Sequence, residues 1–192
     1  MARTNQLLLA GMAGLMAVAG SARPAYAQMV KVTVRVENQA NLPDDLLADA
    51  ESIAAAIYAN AGVDVAFVKR GDADVMVKLL SRSAEDRMRP NADAMGFVPC
   101  SESDRGHIAY VFPNRVDRVA ERYTAARYVV LAVAMAHEVG HLMLPLNAHS
   151  KTGIMKATSG QLEFQRAVRG QLLFTPEQIA QIHTRLMSDA PR

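Results

Sequence analysis

Five residues, His137-Glu138-Val139-Gly140-His141, carry the strongest chemical signal in the chain, and His149 and the run Gly153-Ile154-Met155 follow closely. Histidines four apart on a helix are separated by about 400° of rotation and ~6 Å of rise, so both imidazoles can reach one metal ion. Glu138 points ~100° further round than His137, which suits a carboxylate that contacts a water activated by the metal and not the metal itself. The chemistry implied is hydrolysis, with one catalytic Zn2+ as cofactor and Glu138 as catalytic general base.

A catalytic zinc ordinarily takes three protein ligands and keeps a fourth position open. His149 is the expected third ligand, because the chain can leave the helix, turn at Pro145 and return an imidazole to the same ion. Glu163 is its rival, projecting from a following helix as in a gluzincin-like peptidase. His149 is preferred, since imidazole is the commoner ligand and its return path is shorter.

The segment from His137 to Ala157, HEVGHLMLPLNAHSKTGIMKA, resembles the zinc site of metzincin peptidases, and among them the matrixins, where a third His-Ser pair precedes a Met-turn. The resemblance implies a zinc metalloendopeptidase of a small, secreted, bacterial type that acts on a peptide or protein substrate. His137, His141 and His149 would be the metal ligands and Met155 the apolar floor of the Met-turn. Leu144 and Pro145 stand where that clan has a glycine, and the third histidine comes later than usual, which implies a longer bend. Upstream, the stretch from His107 to Pro113 resembles the antiparallel edge strand along which matrixins bind substrate, so His107, Ala109 and Tyr110 are the expected substrate-binding residues. Tyr110 and Val111 occupy the place of a ligand to a second, structural zinc, so only one ion is expected. The fold implied is α+β and metzincin-like: a twisted, mostly parallel β-sheet with an antiparallel edge strand, an active-site helix and a small C-terminal helical subdomain. The competing functional class is a catalytically inactive zinc-binding module of the same fold, although Glu138 serves chemistry and not metal retention.

Residues 1–27 read as a signal peptide, with Arg3, an apolar stretch from Leu7 to Ala19 and the small-x-small site Ala25-Tyr26-Ala27. A single domain over residues 28–192 is then expected, secreted or periplasmic and monomeric. Loss of Arg3 and Arg23 with the leader brings the basic residues level with the 19 acidic ones, so charge offers nothing to nucleic acid or an anionic membrane. The later apolar run from Tyr128 to Ala136 is far short of the ~20 residues that span a bilayer and reads as a buried helix. Cys100 is the only cysteine, which excludes an intramolecular disulfide. Its expected role is a small buried apolar residue, with a zinc-blocking thiolate, as in matrixin propeptides, as the alternative.

Periodicity places the positioning elements in the order strand, helix, strand, strand, strand, helix, helices. Val30, Val32, Val34 and Val36 alternate with polar residues as in a half-buried strand. Pro43 opens a helix with Leu46, Leu47, Ala50, Ile53, Ala54 and Ile57 on one face, and Asn60-Ala61-Gly62 ends it. Strands follow at Val63–Phe67 and Val75–Leu79. Their short link suggests a hairpin, whereas the resemblance implies parallel strands with the first between them. Ser81 to Arg105 is expected to be a long surface loop. Leu162, Ala167, Leu172 and Phe174 suggest a short helix and turn, and Thr175 caps a last helix with Pro176 at its first position. On that helix Ile179, Ile182 and Leu186 are expected to face the core and His183 the solvent.

Overall fold

The computed structural model describes residues 29–88, 94–99 and 106–189. The proposed leader and Cys100 lie outside them. The elements run β1 (Val30–Asn38), α1 (Asp44–Ala59), β2 (Val63–Val68), β3 (Val75–Leu79), α2 (Arg82–Met88), β4 (Gly96–Phe97), β5 (Ile108–Val111), α3 (Pro113–Tyr123), α4 (Arg127–Met143), α5 (Gln161–Val168) and α6 (Pro176–Asp189). The architecture is α+β, with one five-stranded sheet ordered β2-β1-β3-β5-β4, parallel except for the antiparallel edge strand β4.

Strands β2 and β3 do lie parallel on either side of β1, and the register explains how so short a link permits it. β2 pairs with the first part of β1, from Val30↔Val63 to Arg35↔Val68, while β3 pairs with the last part, from Val34↔Val75 to Asn38↔Leu79. The chain therefore crosses β1 at the level of Arg35 and continues in the same direction with no return journey. Arg35 Nη1 donates to the Gly71 carbonyl at 2.8 Å, and the Asp74 carboxylate accepts from both the amide and the hydroxyl of Thr33 at 2.7 Å, which pins the crossing on both sides.

Valines of β1, β2 and β3 with Ala109 and Val111 of β5 form the buried face of the sheet, against which α1 and α4 are laid. Helix α4 is apolar all round because it runs through the core. From Val129 to Ala136 every residue is buried, and the Tyr58 hydroxyl of α1 donates to the Ala136 carbonyl at 2.8 Å. A helix so enclosed holds whatever projects from its last turns in a fixed place.

Three expectations need correction. The stretch from Ser81 to Arg105 is not a plain loop: it carries α2 and the edge strand β4. Glu85 of α2 is buried because the Arg115 Nε donates to its carboxylate at 2.6 Å, and Arg115 Nη1 donates to the Ala94 carbonyl at 2.9 Å, which fastens the start of β4 to α3. Helix α3 itself went unassigned, although Pro113 at its first position and the spacing of Val116, Val119, Ala120 and Tyr123 are legible helical signals. His183 is buried, not exposed, because its Nε2 meets the Ala61 carbonyl at 2.7 Å and joins α6 to the end of α1. The expected cap on α6 is present: the Gln178 amide donates to the Thr175 hydroxyl at 3.3 Å, and the Gln178 side chain accepts from the Thr175 amide at 3.0 Å.

Candidate metal centre

His137 and His141 project from the last turns of α4. The helix stops at Met143, and Leu144 is extended (φ −109°, ψ 161°), as a residue before proline favours. The bend turns at Asn147, whose φ of 60° does the work of the absent glycine. His149 follows, exposed, and then a small closed loop. The Ser150 amide donates to the Met155 carbonyl at 2.9 Å, and the Ile154 amide donates to the Leu173 carbonyl at 3.0 Å, so the Gly153-Ile154-Met155 turn is tied both to itself and to the chain after α5.

This turn and helix bring three rings to one point. Ring centroids lie 4.8 Å apart for His137 and His141, 4.8 Å for His141 and His149, and 5.3 Å for His137 and His149. One nitrogen of each ring lies within 4.8 Å of the other two, and the Nε2 atoms of His137 and His141 are 3.1 Å apart. Tetrahedral zinc with Zn–N bonds of ~2.0–2.1 Å spaces its ligand nitrogens by about 3.3 Å, so the helix pair already fits the ion.

Protonation also fits. His137 Nδ1 lies 2.9 Å from the Ile154 carbonyl, which can only accept, so Nδ1 carries the proton and Nε2 keeps its lone pair for the metal. Burial lowers the pKa of His137, and burial followed by the charges of His137 and His149 lowers that of His141 to about 3. Both imidazoles are held neutral, as ligands must be.

Glu138 is 6% exposed, and burial raises its carboxyl pKa to about 8. It faces the edge strand: a β-carbon on Gly96 of β4 would lie 2.6 Å from its Cγ. Met155 is fully buried against Gly140, between the two helical histidines. A β-carbon there would lie 2.5 Å from its Sδ and 3.3 Å from Phe174 Cε1.

Glu163 takes no part in the cluster. It is buried in the first turn of α5, where its carboxylate accepts from Lys156 Nζ and from the Gly160 amide, both at 3.0 Å. The strand expected as the sheet edge is not one. β5 is interior, paired with β3 on one side and β4 on the other. Ala109 is fully buried in the core, Tyr110 is stacked on Phe97 at 5.0 Å, and His107 is exposed just ahead of the strand. Among the described residues the sheet ends on this side at β4. The Ile154 carbonyl and Gly96 went unnoticed in the sequence, since a backbone acceptor and a missing side chain leave no compositional mark.

The chain matches no protein-family model and no curated protein. Among solved structures it is similar to an archaemetzincin from Methanopyrus kandleri, with 13% identity, a TM-score of 0.49, and coverage of 85% of this chain and 98% of that one. It is also similar to a protein from Thermotoga maritima, with 15% identity, a TM-score of 0.37, and coverage of 82% and 93%. Likeness at this level assigns no activity.

Proposed function

We propose that this chain is a zinc-dependent endopeptidase of metzincin type. The observation that carries the reading is the convergence of three imidazoles, two of them held neutral by burial, next to one buried carboxylate. His137, His141 and His149 would hold the ion, which supplies Lewis acidity toward a water and a scissile carbonyl. Glu138 accepts the proton of the attacking water and delivers it to the leaving amine, from a buried position at the end of α4. β4, the sheet edge on this side among the described residues, would offer backbone pairing to an extended peptide, and Gly96 would bring that peptide past Glu138. The Ile154 carbonyl keeps His137 in its ligating tautomer.

Elemental analysis and cleavage of a mixed peptide library test the reading together. Purified protein is expected to hold one zinc per chain, His149→Ala to lose it, and Glu138→Gln to keep it while cleavage falls by ~100-fold or more. Equal cleavage by Glu138→Gln and the unaltered chain, or none by either, would overturn catalysis through Glu138, and none by either would leave a zinc-binding module. Undiminished zinc in His149→Ala would remove that residue from the ligand set.

The leader-like residues 1–27 favour export to a periplasm or the medium. The intact mass of the exported protein is expected to correspond to a chain starting at Gln28. Export with the first 27 residues still attached would contradict it. No helix among the described residues is long and apolar enough to cross a membrane.

A further inference from the structure

Gly96 meets Glu138 where a side chain would ordinarily stand. A β-carbon on it would lie 2.5 Å from the Tyr110 carbonyl oxygen, 2.6 Å from Glu138 Cγ and 2.9 Å from Glu138 Cδ. Comfortable carbon contacts begin near 3.5 Å, so both neighbours are touched at once. The strand has little freedom to withdraw. The Ala94 carbonyl is held by Arg115 at 2.9 Å and the Met95 carbonyl by the Phe112 amide at 2.8 Å. Gly96 pairs with Val111, and Phe97 pairs with Tyr110 and stacks on its ring with planes 11° apart. Glu138 in turn sits on α4, which the core encloses.

We propose that Gly96 is a positioning residue: its bare α-carbon lets the edge strand close directly over Glu138 and sets where that carboxylate stands. A methyl group there must either lift β4 off β5 or push Glu138 out of place. The peptide-binding edge and the proton-transfer group are thereby in direct contact, with no intervening side chain. Misplacing a reacting group by ~1 Å can cost ~100-fold in rate. The kinetic part of the proposal rests on the hydrolase reading, and the stability part stands without it.

The test is a set of four proteins: the unaltered chain, Gly96→Ala, Glu138→Ala and the double variant. In thermal unfolding of the metal-free proteins, Gly96→Ala is expected to lower the midpoint, and to lower it by less than half as much once Glu138 is Ala. A Gly96→Ala that folds only in the Glu138→Ala background supports the proposal equally. Equal drops in both backgrounds, or failure to fold in both, would overturn it, because only the Tyr110 carbonyl would then be felt. Zinc per chain is expected to be unchanged in Gly96→Ala, with kcat down by about 10- to 100-fold and KM within about threefold. An unaltered kcat would overturn it. Absence of cleavage by the unaltered chain would sink the hydrolase reading alone, and the unfolding comparison would still decide the contact.

Discussion

His137, His141, His149 and Ile154 come from one short stretch of chain, whereas the wall opposite them, Gly96 and Phe97, is held by Glu85, Tyr110, Phe112 and Arg115. The first half of the site is local: a helix ends, a bend turns at Asn147, and a tied loop returns. The second half is an assembly of contacts between separate elements. A local half can be read as a motif, while an assembled half becomes visible only when the fold places its parts. The two halves meet at Glu138, which belongs to the helix and is covered by the strand.

That meeting point should show the largest effect. In the metal-free chain Glu138 stays protonated up to about pH 8 when folded, but ionises near 4.5 when unfolded. The folded state then binds more protons in this window, so the stabilising contribution is complete below about 4.5 and is lost as pH rises through 8. Burial of His141 acts oppositely, with stability lost as pH falls from 6.5 through about 3, and it is common to both proteins compared. Metal-free Glu138→Gln should therefore gain thermal stability relative to the unaltered chain as pH rises from 4.5 to 8. A constant difference in midpoint across that range would show that the strand does not cover the carboxylate.

Arg115→Ala should break the wall alone. It leaves the buried Glu85 with no charged partner and only the Asn114 amide at 3.4 Å, and it frees the Ala94 carbonyl, at a cost of about 3–5 kcal/mol in urea unfolding, with zinc content unchanged. Zinc lost along with stability would mean that the halves are not separable. Gly140→Ala strikes the local half with a smaller effect. Overpacking against Met155 and Phe174 costs ~1–3 kcal/mol, offset by the ~1 kcal/mol that a helical glycine gives up. A net loss of about 1 kcal/mol is expected in the same assay, with weaker zinc retention against a chelator. A gain in stability would show that Met155 moves aside freely.

The same division governs what could be read without the structure. The alternating valines of β1 and the face of α1 were legible because each follows the period of its own element. The three histidines were legible because helical rise and a short return bring them together. The edge strand was misassigned to His107–Phe112 because β5 has the apolar pattern of a strand, while the true edge is two residues long and carries a glycine. Strands that short have no periodicity, and their place is decided by partners elsewhere, here Tyr110, Phe112 and Arg115. His183 looked solvent-facing because its partner, the Ala61 carbonyl just past the end of α1, is 122 residues away in the chain. Glu163 looked like a ligand because a capping carboxylate and a metal-binding one are the same residue type.

The Leu173 carbonyl receives the Ile154 amide, and Phe174 lies beside both Gly140 and Tyr58, at 5.1 Å between rings in the latter case. The histidine segment thus leans on residues that come after it in the chain and contribute nothing to its chemistry. Transplanted onto a foreign helix, or cut free of its C-terminal neighbours, the motif would keep its spelling and lose its shape. The smallest portable unit of this centre is most of the domain.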